Sequence, residues 1–165
     1  MERSLFWRFI RGFVYLFGAG LILYFQLAPG KFDEQAIYFQ HSLFVWTAAF
    51  INRRPGSASF LAVCIVAVFY ATYIEEGIAL GAIALLMMDM LLRKFRSLIH
   101  SQTLFVEYGL TLIVFALVMF VKNLFLYVFL IDHYSLIELG QIILSFIISY
   151  PFINMLIVAL VRSRK

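Results

Sequence analysis

The stretch LFVEYGLTLIVFALVMFVKNLFLYVFLI (104–131) decides the fold, because Glu107 and Lys122 are its only charged residues. About 20 mostly apolar residues suffice for a helix to cross the hydrocarbon core of a bilayer, and this run is longer. It lacks the strict alternation of a barrel strand, so it reads as a transmembrane helix that satisfies its own backbone. Working outward, further apolar runs lie at 9–27, 36–51, 58–74, 77–92 and 136–161. The breaks between runs are short, as in PGKFDEQ (29–35), NRRPGS (52–57) and DHYS (132–135). The expected architecture is all-α: one integral membrane domain over residues 1–165, with six transmembrane helices in a compact bundle. The runs at 36–51 and 77–92 are short for a crossing, and the last two are long enough to tilt.

Composition agrees with that reading. Of 165 residues, 64% are hydrophobic and 13% are charged, and the mean hydropathy is +0.97. Soluble domains carry roughly 45–50% apolar and about 25% charged residues, so a water-soluble globule of this size is excluded. Six spans of about 20 residues leave only about 45 for every loop and both tails. A folded extramembrane domain does not fit in that remainder. The first run follows Arg3, Arg8 and Arg11 as a signal peptide would. It ends in Leu27-Ala28-Pro29 without a small-x-small cleavage pattern, and so reads as a retained span.

The placement of charge sets the expected orientation. Arg3, Arg8 and Arg11, then Arg53 and Arg54, then Arg93, Lys94 and Arg96, then Arg162, Arg164 and Lys165 fall on alternate connections. These are eleven of the thirteen basic residues. Basic residues flanking spans stay in the cytoplasm, which puts both termini there. The other face holds Lys31 against Asp33, Glu34, Glu75, Glu76 and Asp132. The formal charge of +4 is thus a statement about topology, and no nucleic-acid partner is needed to explain it. In RKFRSLIHSQT (93–103), the residues Arg93, Lys94, Phe95, Arg96, Leu98 and Ile99 form a rim. It reads as a short interfacial helix on anionic headgroups, with a partner-docking surface as the other reading.

No pattern for chemistry emerges. There is no Ser-His-Asp set, no phosphate-cradling glycine loop and no metal-ligand spacing. Cys64 is the single cysteine, and His41, His100 and His133 are far apart. The expectation is a non-enzyme with no catalytic residues, cofactor or metal. Gly77 and Gly81, with Ala84 a turn later, give a small-residue surface suited to close helix packing, either within the chain or against a partner's helix. Lys122 reads as a snorkelling lysine, a buried contact or a transported-ligand contact, and Gln40 and His41 as interhelical hydrogen-bond partners. Asp89 and Arg93 are spaced for a local i, i+4 pair. Pro151 should kink the last helix, with Ser145, Ser149 and Asn154 close enough to satisfy what it frees.

Three stretches carry a resemblance: FINRRP (50–55), LLRKFRSLIHSQTLFVEYG (91–109) and SYPFINMLIVALVRSRK (149–165). Their order and character resemble the MreD family, small inner-membrane components of the bacterial rod-shape system. The family usually shows an Asp, then Gly, then Pro-Leu-Gly at the turn between the third and fourth spans. YATYIEEGIALGA (70–82) keeps Gly77, Leu80 and Gly81 but has Tyr73 for the Asp and Ala79 for the Pro. That leaves Glu75 or Glu76 as the substitute acid, if there is one. The resemblance implies a non-enzymatic scaffold in the bacterial inner membrane. Its implied partners are MreC-like and MreB-like proteins, the RodA and transpeptidase pair of peptidoglycan synthesis, and membrane lipids. The alternative class is the substrate-binding subunit of an energy-coupling-factor vitamin transporter. That family's Ala-x-x-x-Ala docking surface belongs in the first helix, whereas here Ala58/Ala62 and Ala67/Ala71 fall in the third run.

Overall fold

The computed structural model describes residues 2–27, 41–53, 58–73, 79–100, 104–129 and 133–161. Among them are six helices and no strand: α1 (Glu2–Leu27), α2 (Ser42–Arg53), α3 (Phe60–Tyr73), α4 (Leu80–His100), α5 (Leu104–Val128) and α6 (Leu136–Val161). The protein is therefore all-α. Two of the helices, α5 over Phe105–Val128 and α6 over Leu136–Ala159, are long and apolar enough to cross a membrane.

The centre of the bundle is its shortest helix. Every residue of α2 from Leu43 to Asn52 is buried, because α1, α4 and α6 all pack against it. Thr47, Ala48 and Ala49 let those neighbours approach closely, while Phe44, Trp46 and Phe50 fill the spaces between them. Phe115 of α5 stacks on Phe146 of α6 with centroids 4.2 Å apart, and Phe146 in turn stacks on Tyr150 at 5.3 Å. Packing of α4 against α3 and α5, and of α1 against α3, completes the body.

The interface between α1 and α2 depends on a missing side chain. A Cβ added at Gly18 would stand 2.1 Å from Cζ2 of Trp46. The indole lies where that atom would be, and its Nε1 donates to the carbonyl of Tyr15 at 3.2 Å. Tyr15 also shares a hydrogen bond with the Thr47 hydroxyl at 3.2 Å.

Helix ends follow local rules. Ser135 and Glu138 form a reciprocal capping box: Ser135 N–H donates to Glu138 Oε2 at 2.6 Å, and Glu138 N–H to Ser135 Oγ at 3.2 Å. Ser59 accepts from the N–H of Ala62 at 3.2 Å ahead of α3. Ala79, just before α4, has φ of 53°. Proline, fixed near −65°, cannot adopt that angle.

Several expected boundaries are corrected. Over the second run the described helix is Ser42–Arg53, two residues past the expected end at 51, and the expected start at 36 lies outside the described residues. At 12 and 14 residues, α2 and α3 are about 18 and 21 Å long at 1.5 Å per residue. The expected separation between a fourth span ending at 92 and a rim helix at 93 is absent, since α4 runs unbroken from Leu80 to His100. This junction contains neither Gly nor Pro, and the Asp89–Arg93 pair bridges it one turn apart.

Candidate functional site

Among the described residues, seven polar or charged side chains lie within a mainly apolar core, and large apolar side chains also cover the outside of the helices. His41, Thr47, Asn52, Asp89, Glu107, Thr111 and Lys122 are all buried, whereas Phe105 is 88% and Leu136 87% exposed. Soluble proteins rarely bury Asp, Glu or Lys side chains unless these are paired.

The C-terminal turn of α2 organises one end of the bundle. Asn52 Nδ2 donates to Thr111 Oγ1 of α5 at 2.7 Å and to the Tyr150 hydroxyl of α6 at 2.8 Å. Arg53 Nε donates to Asn154 Oδ1 of α6 at 2.8 Å. Its Nη2 stands 3.2 Å from Glu107 Oε1 of α5. That oxygen has no aligned hydrogen bond, so the contact is one of charge. Thr111 donates onward to the Glu107 carbonyl at 2.7 Å. Two adjacent residues of α2 thereby hold both helices that could otherwise swing away from it.

A second ion pair joins α4 to the start of α3. Asp89 is fully buried and takes Arg93 Nε on both carboxylate oxygens, at 2.9 and 2.8 Å. Arg93 Nη2 then donates to the Ala58 carbonyl. The expected local pair exists and also performs a tertiary task. A buried carboxylate is tolerated only because that charge is met at hydrogen-bond distance.

The opposite end gathers around Tyr134, ahead of α6. Asn123 Nδ2 donates to the Tyr134 carbonyl at 3.1 Å and its Oδ1 accepts from the Tyr134 N–H at 2.7 Å. The Tyr134 ring lies 6.0 Å from Lys122 Nζ and, edge to face, 6.0 Å from His41. Lys122 is 7% exposed, which replaces the snorkelling reading with a buried cation over an aromatic face. His41 is likewise buried. Gln40 lies outside the described residues.

Pro151 is carried inside an unbroken α6. Lacking an N–H, it leaves the carbonyl of Ile147 without its helical donor. The Tyr108 hydroxyl of α5 donates to that carbonyl at 2.9 Å. The expected rescue by serine and asparagine is thus corrected: Ser149 bonds the Ser145 carbonyl at 2.6 Å, and Asn154 takes Arg53.

The remaining expected site residues divide. Gly81 and Ala84 are buried within the chain. Gly77, Glu75 and Glu76 lie outside the described residues, as do the side chains of Leu98 and Ile99. Lys94 and Phe95 are exposed and Arg96 is half-buried, while Arg93 turns inward. Among the described residues no three His, Cys, Asp or Glu side chains group as a metal site would require. Sequence reasoning missed Asn52, Thr111, Tyr108 and Tyr150. Their one signal was a polar atom near the end of an apolar run, which does not say which helix it faces.

No family model, curated protein or solved structure matches the chain.

Proposed function

We propose that this chain is a six-span scaffold of the bacterial inner membrane, of the MreD kind. It would link MreC-like and MreB-like proteins to the RodA and transpeptidase machinery of cell elongation. One observation carries the membrane part: large apolar side chains cover the outside of the helices as well as filling the core. Only 33% of the α5 window and 22% of the α6 window are buried, unlike the core helices of a globule. Lipid accepts such a surface, and water does not.

The contacts support an up-and-down arrangement. Gln26 near the end of α1 reaches Ser42 at the start of α2, and the end of α2 meets the start of α5 and the later part of α6. The end of α4 meets the segment before α3. Arg53, Arg93, Lys94 and Arg96 therefore share one end of the bundle, the end at which α1 begins. That agrees with a cytoplasmic basic face. Although α2 is short, it is enclosed by α1, α4 and α6, and backbone buried in protein at membrane depth need not continue as helix to the interface. A body whose polar groups are consumed by its own interhelical contacts acts through its helix faces and rims, as a scaffold does.

Two measurements test this. In a Cys64→Ser background, single cysteines at Lys94 and His133 should react with a membrane-impermeant thiol reagent from opposite sides of sealed vesicles. The full chain should also co-purify with a co-expressed MreC-like single-span protein. Labelling from the same side refutes the topology. A stoichiometric vitamin-sized molecule retained in place of the protein partner refutes the scaffold and favours the transporter subunit.

A further inference from the structure

We propose that one side of this protein thins the bilayer around it: the outward faces of α1, α3 and α4 fit a hydrocarbon layer of about 20 Å, whereas those of α5 and α6 fit a full one. The inference rests on the membrane reading above. At 1.5 Å per residue, the apolar windows Phe105–Val128 of α5 and Leu136–Ala159 of α6 are each about 36 Å tall, more than the roughly 30 Å of a typical hydrocarbon core. The corresponding stretches are Gly12–Gln26 in α1, about 22 Å, and Phe60–Thr72 in α3, about 20 Å. On α4, the exposed residues Ile83, Met90 and Lys94 fall along one outward stripe, because residues seven and four apart return to nearly the same direction on a helix. The helix starts at Leu80 and its apolar stripe ends at Lys94, about 21 Å further on.

The short faces are neighbours, α1 packing on α3 and α3 on α4, and the tall faces of α5 and α6 are neighbours as well. Height is thus a property of one side of the molecule. The short helices also share a level at the basic end. Arg93 donates to the Ala58 carbonyl, just ahead of α3, so the charged part of α4 and the start of α3 lie at one depth. From Arg93 the helix α4 continues to His100, about 10 Å, and α5 packs back along it from Leu104 with Phe105 exposed. Apolar surface on α5 therefore reaches farther toward the cytoplasm than the exposed Lys94 of α4.

A face shorter than the bilayer is accommodated by thinning, by snorkelling of flanking residues or by association of helices. Ala58 and Ser59, which lead into α3, have no reach for snorkelling. Association in lipid favours small residues at the contact, and here Ala62, Ala67 and Ala84 are buried while Val68, Phe69 and Met90 face outward. The occupant that fits is lipid with a thinned hydrocarbon layer.

The test uses the full chain in a Cys64→Ser background, reconstituted in vesicles of dioleoyl phosphatidylethanolamine and phosphatidylglycerol. Spin labels on single cysteines at Leu61, Ile65 and Val68 of α3, and at Leu144, Ile148 and Met155 of α6, report depth from their relaxation by oxygen against a water-soluble nickel chelate. The deepest α3 label should lie about 10 Å from the aqueous boundary and the deepest α6 label about 15 Å, half of each hydrocarbon height. Equal greatest depths on the two helices overturn the proposal. So do α3 labels that are shielded from oxygen and broadened by one another, which would show a second copy of the chain covering the face. Both results leave the six-span reading standing. Full relaxation of every label by the nickel chelate, as in water, overturns that reading as well.

Discussion

Replacing Gly18 by alanine sets two opposed effects against each other on one helix. In an exposed helical position the change stabilises by up to about 1 kcal/mol, since alanine has the better helix propensity. At Gly18 the new Cβ would meet Trp46 Cζ2 at 2.1 Å, Cε2 at 2.7 Å and Cη2 at 2.8 Å. Carbon atoms rest at about 3.5–4.0 Å, so the ring or the helix has to move by more than 1 Å. Trp46 has little freedom to move: its ring packs 4.9 Å from that of Phe50, and its N–H is committed to the Tyr15 carbonyl. Overpacking of this kind costs about 1–3 kcal/mol, and a lost buried hydrogen bond adds about 1 kcal/mol. The net expectation is a destabilisation of about 1–3 kcal/mol. Gly20, two residues on, is the internal control, because a Cβ there meets nothing within 4 Å. Thermal unfolding of both variants in the same detergent, followed by tryptophan fluorescence, measures the contrast. Gly18→Ala should melt several degrees below Gly20→Ala, at about 2–4 °C per kcal/mol. Equal melting temperatures would refute the claim that α1 is seated on α2 through the Gly18–Trp46 contact.

Three further outcomes are expected. Asp89→Leu should destabilise by about 3–5 kcal/mol because it strands the Arg93 charge, while the double change D89L/R93L should recover a large part of that loss in the same melting assay. Tyr108→Phe should cost about 1 kcal/mol in the natural chain and almost nothing in the Pro151→Ala background, where residue 151 regains an N–H for the Ile147 carbonyl; additive losses in this double-mutant cycle would sink the capping role. Asn52→Leu should lose about 1–2 kcal/mol from its bonds to Thr111 and Tyr150, and should raise proteolysis of the α4–α5 connection, at the same end of the bundle, in detergent. Unchanged cleavage would show that α2 does not hold those helices.

Parts of the site were legible in the sequence for a clear reason. Asp89 and Arg93 are one turn apart on a single helix, so spacing alone places them together. Pro151 announced a carbonyl in need of a donor, yet the donor came from Tyr108, 39 positions away in the chain. The same limit hid the partners of Asn52, which lie 59 and 98 positions away. Gly81 and Ala84 showed how close a helix can come. The burial of both residues depends on packing, which spacing does not give.

Hydrophobic run length, helical period and the alternation of basic connections are local or additive properties. From them the sequence by itself determined an all-helical chain, the approximate places of its helices and a basic set of connections. Which helix stands at the centre is a property of pairs of surfaces, and α2 looks no more central in sequence than α3. Only the tertiary structure decided that α2 is enclosed, that Lys122 is buried, and that Arg53 and Arg93 turn inward while Lys94 stays exposed. A buried charge is worth its desolvation only where a partner waits at a few ångströms, and that distance exists only once the helices are assembled.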